Sequence, residues 1–151
     1  MLKCDKLSIT IAGRTLVREL SLELGSGEVI CMLGPNGVGK TLALHTLAGL
    51  LTPASGVVML DGEDISELGR RQIARRLGLL LQDDAESFPA TVLDTVLMGR
   101  HPYMTALGSA SAADHALADQ ALAAMDLGGF SPRTVGTLSG GERRRVAIAR
   151  L

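Results

Sequence analysis

The sequence predicts an α/β fold, and three observations predict it. A continuous apolar run, Glu28-Val29-Ile30-Cys31-Met32-Leu33, feeds directly into a glycine-rich loop and then into a helical pattern. Two apolar stretches of strand length, residues 7–11 and 20–24, flank a turn signal at Ala12-Gly13-Arg14. The second half is rich in Ala and Leu at helical spacing over residues 91–99 and 113–127.

Taken in order, the N-terminal part reads as an antiparallel hairpin, closed by a break at Gly25-Ser26-Gly27. Residues 28–33 read as a strand buried on both faces, because nothing in the run is polar after Glu28. Lys40 to Leu50 reads as a helix ending near Gly49, with Pro53 beyond it. Val57 to Leu60 reads as a strand before an Asp61-Gly62 turn. Ser66 to Arg76 reads as a helix that Ser66 could cap, and Leu77 to Leu81 as a strand running into Gln82. Pro102 to Ala112 reads as a connector, and residues 138–142 open a basic amphipathic helix.

Composition narrows the function classes. The 151 residues are 46% hydrophobic and 21% charged, enough for a packed core in one ordinary domain. A net charge of −1 carries no nucleic-acid footprint, so no nucleic-acid partner is expected. The two cysteines, Cys4 and Cys31, form no CxxC pair, and Cys31 reads as a small buried hydrophobe. There is no signal-peptide pattern and no apolar window of about 18 residues, so a cytosolic location is expected. Arg143-Arg144-Arg145 reads as a solvated helix face, and His45, His101 and His115 lack partners at metal spacing. Asp83, Asp84 and Glu86 read as solvated charges after Gln82, with contact to a partner's basic surface as the alternative.

Gly34-Pro35-Asn36-Gly37-Val38-Gly39-Lys40-Thr41 matches G-x-x-x-x-G-K-[ST]. Glycines permit backbone conformations closed to other residues and bring bare amides against a phosphate. The helix that follows turns its positive end to the same anion. Lys40 supplies a point charge to the terminal phosphates, and the Thr41 hydroxyl can ligate Mg²⁺. Strand, loop and helix stand in the order this chemistry demands, so phosphate binding is expected.

Leu138-Ser139-Gly140-Gly141-Glu142 admits two interpretations. Ser139 and Glu142, three apart, make a capping box that would simply start a helix. The paired glycines argue for more, since a cap needs one polar residue and each interior glycine costs a helix about 1 kcal/mol. What Gly140 and Gly141 permit is close approach of an anion to a helix N-terminus.

These two motifs together resemble the nucleotide-binding domain of an ABC transporter, over essentially the whole chain. Gly34–Thr41 matches that family's Walker A loop, Leu138–Glu142 its LSGGE signature, and Gln82 falls at its Q-loop glutamine. The resemblance implies a P-loop ABC-ATPase core with an antiparallel N-terminal β part and a helical subdomain. The ATP-binding core would be residues 1–82, the helical subdomain 83–137, and the signature and its helix 138–151. It implies ATP and Mg²⁺ as ligands, with Lys40 and Gln82 catalytic and Thr41 and Gln82 on the metal. Gln82 has a plainer alternative as a solvated residue ending a strand. The resemblance also implies a homodimer in which Ser139, Gly140 and Gly141 of one copy reach the γ-phosphate held by the other. Permease subunits would take up the coupling surface, with the chain on the inner face of the membrane. The segment from Thr91 through Gly99-Arg100-His101-Pro102-Tyr103 resembles subunits of importers for iron-siderophore, haem or cobalamin.

Two departures qualify the resemblance. Ile11 stands where the family usually has an aromatic residue against adenine, so a stacking contribution of ~1–3 kcal/mol is absent. No apolar strand followed by Asp-Glu occurs, so the family's Walker B carboxylate and general base are not found in these residues. The expectation is a chain truncated at its C-terminus that binds nucleotide, hydrolyses it poorly and tends to aggregate. Heptad-patterned arms, which a soluble ABC-type ATPase of DNA repair would need between the two motifs, are missing.

Overall fold

In the computed structural model, residues 1–81, 89–104 and 108–151 are described. They form two compact units, Met1–Leu77 and Gly78–Leu151.

The first unit is built on a hairpin. β1 (Leu2–Ile11) and β2 (Arg14–Leu24) are joined by Ala12 and Gly13, both with positive φ (48° and 78°). Two successive left-handed residues give the turn whose twist matches that of the strands, and Ile11 pairs with Arg14 across it. β3 (Ser55–Leu60) lies on the other edge of β1, also antiparallel, and turns through Asp61-Gly62 into the short β4 (Glu63–Asp64). The sheet order is β2-β1-β3-β4. Cys4, Leu7 and Ile9 of β1 are buried with Val58 and Leu60 of β3. Ala43 and Leu47 of α1 (Lys40–Leu47) and Ile65 and Ile73 close this core. Helix α1 ends as expected, with Gly49 left-handed at φ 70° and the Leu50 amide donating back to the His45 carbonyl.

Two expected strands do not form. Residues 28–33 and 77–81 have no ladder partner among the described residues. Val29 is 90% exposed, Leu33 88% and Ile30 48%. Apolar pattern makes a segment willing to be a buried strand, but strand hydrogen bonds come from a neighbour, and the sheet β2-β1-β3-β4 takes in neither segment. The same exposure overturns the expectation for Cys31, which is exposed, whereas Cys4 is the buried thiol. The helix expected over Ser66–Arg76 is shorter, α2 (Arg70–Ala74). Ser66 does not cap it. The Ser66 hydroxyl and amide both donate to Asp64 Oδ1, at 2.7 and 2.9 Å, forming a local turn, and Gly69 stands at the N-cap with its amide bonded to Gln72 Oε1.

The second unit is helical. α3 (Val92–Met98), α4 (Ala112–Ala124) and α5 (Gly140–Ala149) pack around Val92, Val96, Leu122, Leu127 and Val146. Each starts with a reciprocal cap: Thr91 with Asp94, Ser111 with Asp114, Ser139 with Glu142. The turn at residues 131–135, ahead of α5, is laced to the start of α3. The Val92 amide donates to Arg133 O (2.9 Å), that of Leu93 to Ser131 O (3.1 Å), and that of Val135 to Ala90 O (3.0 Å). At the end of α3, a Cβ on Gly99 would collide with the carbonyl of Arg150, so only glycine lets these two helix ends meet. Arg100 donates from Nε to Asp114 Oδ1 at 2.9 Å and lies over the Tyr103 ring, 4.1 Å from its centroid. The Ser111 hydroxyl first, and then the Arg100 guanidinium, lower the Asp114 carboxyl to about 2. The connector expected at 102–112 lies partly outside the described residues, at 105–107.

Candidate functional site

The loop at 34–41 gathers the residues expected to hold phosphate. Gly37 and Gly39 have φ of 80° and 104°, values that a side chain strongly disfavours. Gly39 is the N-cap of α1, and no side chain caps this helix. Its first amides are therefore left to be satisfied by something other than a protein side chain, which is the condition for anion binding at a helix start. Gly39 is also fixed by packing. A Cβ there would lie 3.1 Å from Val17 Cγ2 and 3.3 Å from Leu16 Cβ, so β2 comes tight against the loop.

Lys40 folds back over the loop. Its Nζ donates to the carbonyl oxygens of Gly34 (2.6 Å) and Pro35 (2.8 Å). An ammonium parked on two carbonyls at the mouth of a ring of glycine amides gives a charged donor that can move to a phosphate oxygen at little cost, since one set of oxygen acceptors replaces another. Thr41, in the first turn of α1, is exposed, as are Pro35, Asn36 and Val38. This loop suits a nucleotide triphosphate, and Thr41 offers a hydroxyl for Mg²⁺. Gln82, the other expected metal and catalytic residue, lies outside the described residues, as do Asp83, Asp84 and Glu86. Ile11, at the end of β1, is 46% exposed and so presents an aliphatic surface.

The second glycine site has a different character. Ser139 caps α5 in a closed circuit: its hydroxyl donates to Glu142 Oε2 (2.6 Å), its amide donates to the same oxygen (2.7 Å), and the Glu142 amide donates to Ser139 Oγ (3.3 Å). The Ser139 hydroxyl, then its backbone amide, pull the Glu142 carboxyl below its ordinary value, with Arg133 and Arg145 adding to the shift. Gly140 and Gly141 have ordinary helical φ, and a Cβ built on either would meet nothing within 4 Å. Neither backbone strain nor packing requires glycine at these two places. They leave the first turn of α5 sterically open beside its capping box.

Sequence reasoning missed three neighbours. Arg133 lies 3.8 Å from Glu142 Oε1 and stacks on Phe130 at 4.4 Å. Arg100 and Asp114 form the half-buried pair described above. Arg144, expected to be merely solvated, donates from Nη1 to the Leu81 carbonyl at 3.0 Å, although all three arginines of its run are exposed. Only the Ser111–Asp114 and Thr91–Asp94 caps had a local signal, the S/T-x-x-D spacing. The Arg100–Asp114 and Arg144–Leu81 contacts join residues 14 and 63 apart and had none.

The uncapped glycine loop at one helix start and the capped, sterically open glycine pair at another carry the two motifs that resemble an ABC nucleotide-binding cassette. The chain belongs to the ABC transporter family, which it matches over residues 17–151. It is 40% identical over 151 residues to the hemin import ATP-binding protein HmuV of Rhizobium meliloti, covering 100% of this chain and 56% of that protein. It is 38% identical over 144 residues to the cobalamin import ATP-binding protein BtuD of Halobacterium salinarum, covering 95% of this chain and 36% of that one. The chain thus spans about half or less of the length of these relatives. Among solved structures, it superposes at a TM-score of 0.82 and 28% identity on a protein described as a metal-chelate type ABC transporter in an inward-facing conformation, covering 99% of this chain and 54% of that one. A dimeric bacterial ABC transporter cassette superposes at a TM-score of 0.81 and 25% identity, covering 99% of this chain and 68% of that one. Among the described residues, no helix is long and apolar enough to cross a membrane.

Proposed function

We propose that this chain is the nucleotide-binding part of an ATP-binding subunit that drives import of a metal chelate such as haem, cobalamin or an iron-siderophore. The observation that carries the proposal is the uncapped start of α1, ringed by left-handed glycines with Lys40 held on the carbonyls of Gly34 and Pro35. The names of the relatives support the choice of cargo.

In this reading the amides of residues 37–41 and the Lys40 ammonium hold the β- and γ-phosphates of ATP, and Thr41 and Gln82 hold Mg²⁺. The ion would neutralise charge on the phosphates when bound. Ser139, Gly140 and Gly141 turn their amides and hydroxyl to the γ-phosphate of a second copy, so two copies close on two nucleotides. The chain works as a peripheral subunit on the cytoplasmic face, attached through permease subunits near Gln82 and residues 83–105. The 151 residues bind ATP without efficient turnover, because no apolar strand followed by Asp-Glu is present among them to supply a general base.

Labelled-ATP binding measured beside phosphate release tests this. Saturable binding without multiple turnovers is expected, and Lys40→Ala should abolish the binding. Sustained phosphate release by the purified chain would overturn the non-hydrolysing part. Binding indifferent to Lys40→Ala would overturn the site.

A further inference from the structure

The closed circuit at Ser139 poses a difficulty for the function just proposed, on which this inference rests. A hydroxyl has one hydrogen to donate. Here it is directed at Glu142 Oε2 at 2.6 Å, and the same oxygen takes the Ser139 amide. For Ser139 to donate to a phosphate, its hydroxyl must turn away from that carboxylate. The carboxylate then loses a hydrogen bond while a polyanion arrives beside it. Left alone, it would repel the ligand or swing out of the cap.

Among the described residues, Arg133 is the cation within ion-pair distance of the opposite oxygen, with Arg145 a weaker contributor. The Arg133 guanidinium lies 3.8 Å from Glu142 Oε1, and it is not a freely waving side chain. It lies over the Phe130 ring at 4.4 Å. Its backbone is tied at both ends: the Arg133 amide donates to Phe130 O at 2.9 Å, and its carbonyl accepts from Val92 N at 2.9 Å. Stacking on an aromatic face and a fixed backbone lower the entropy cost of keeping the guanidinium where it is.

We propose that Arg133 is a positioning residue for the Ser139–Gly141 surface: seated on Phe130, it holds the Glu142 carboxylate through Oε1, so that the Ser139 hydroxyl can pass from Oε2 to a phosphate. Arg133 touches no phosphate itself. It acts through Glu142, and it keeps the anion surface from being spoiled by its own cap.

The test uses the full chain with Mg²⁺ and a slowly hydrolysed ATP analogue. Self-association is followed by sedimentation velocity, with the Gly140 and Gly141 amide resonances recorded in parallel. Arg133→Ala and Arg133→Gln should each weaken nucleotide-driven association about fivefold, the upper end for a half-exposed ion pair. Arg133→Lys should restore part of the loss, while nucleotide binding by the separated copies stays unchanged in all three. In a Glu142→Gln background, which keeps the cap but removes the charge, the Arg133→Ala loss should largely vanish. Unchanged association in Arg133→Ala and Arg133→Gln overturns the proposal, and so does an equal loss in the Glu142→Gln background. A wild-type chain that binds the analogue yet never associates overturns both this inference and the composite site. A wild-type chain that fails to bind the analogue at all overturns the nucleotide reading at its root.

Discussion

The two glycine-rich helix starts differ in how their amides are satisfied. At α1 no side chain caps the helix, the glycines are left-handed, and β2 presses on Gly39. At α5 a serine and a glutamate complete each other's hydrogen bonds, the glycines are ordinary helical residues, and nothing crowds them. The first is a site whose shape exists before any ligand, at the cost of residues that only glycine can occupy. The second is a finished helix cap that, under the function proposed above, would give up a hydrogen bond on binding. Similar residues thus give an uncapped helix start in one place and a capped one in the other.

The sharpest way to break this comparison is Gly39→Val. A branched side chain at φ 104°, against Val17 and Leu16, should cost about 2–3 kcal/mol of stability in the first unit and lower ATP affinity more than tenfold. Denaturant titration and ATP binding would check both, and a tolerated valine would mean that the loop is not preformed. Next in size is Ser139→Ala, which should cost about 1 kcal/mol in the second unit by opening the cap, with no change in ATP binding at the first loop. Gly141→Ala should do the reverse of what a core glycine does. Because the added methyl meets open space, it should raise the stability of α5 by up to ~1 kcal/mol while weakening nucleotide-driven association. A loss of stability there would show that glycine is structural after all.

The smallest effect concerns pH. The Glu142 and Asp114 carboxyls both lie below their ordinary values in the folded chain, Asp114 at about 2 against 3.8. A lowered carboxyl contributes stability that is fully present above the ordinary value and is lost as pH falls toward the folded one. The cap of α4 should therefore hold at pH 5 and weaken between about 4 and 2, and that of α5 should weaken as pH falls below the ordinary glutamate range. Carboxyl carbon shifts of Asp114 and Glu142 would follow this. The α1 start, which has no carboxylate cap, should show no such transition. Salt should matter little to the Asp114 pair, whose side chains are only 28% (Arg100) and 14% (Asp114) exposed.

Much of the candidate site was legible because its determinants are close in sequence. The loop at 34–41 and the box at 139–142 each depend on a handful of neighbouring residues, and so does the turn at Ala12-Gly13. The Ser66 cap failed for an equally local reason: Asp64, two residues away, claimed the hydroxyl. Residues 28–33 and 77–81 failed for a non-local one. Their apolar runs state a preference, but no described strand lies beside them to accept it. Cys31 went with its run, from an expected core position to an exposed one.

By itself, then, the amino-acid order determined the hairpin turn, the glycine loop, the Ser139–Glu142 capping box and the family. These rest on backbone preferences and hydrogen bonds that close within a few residues. Only tertiary structure decided which apolar runs become strands, which cysteine is buried, and which arginines find distant partners: Arg100 on Asp114, Arg144 on the Leu81 carbonyl. Strand pairing and long side-chain contacts are made by residues brought together from far along the chain, and a local pattern carries no record of who the neighbour will be.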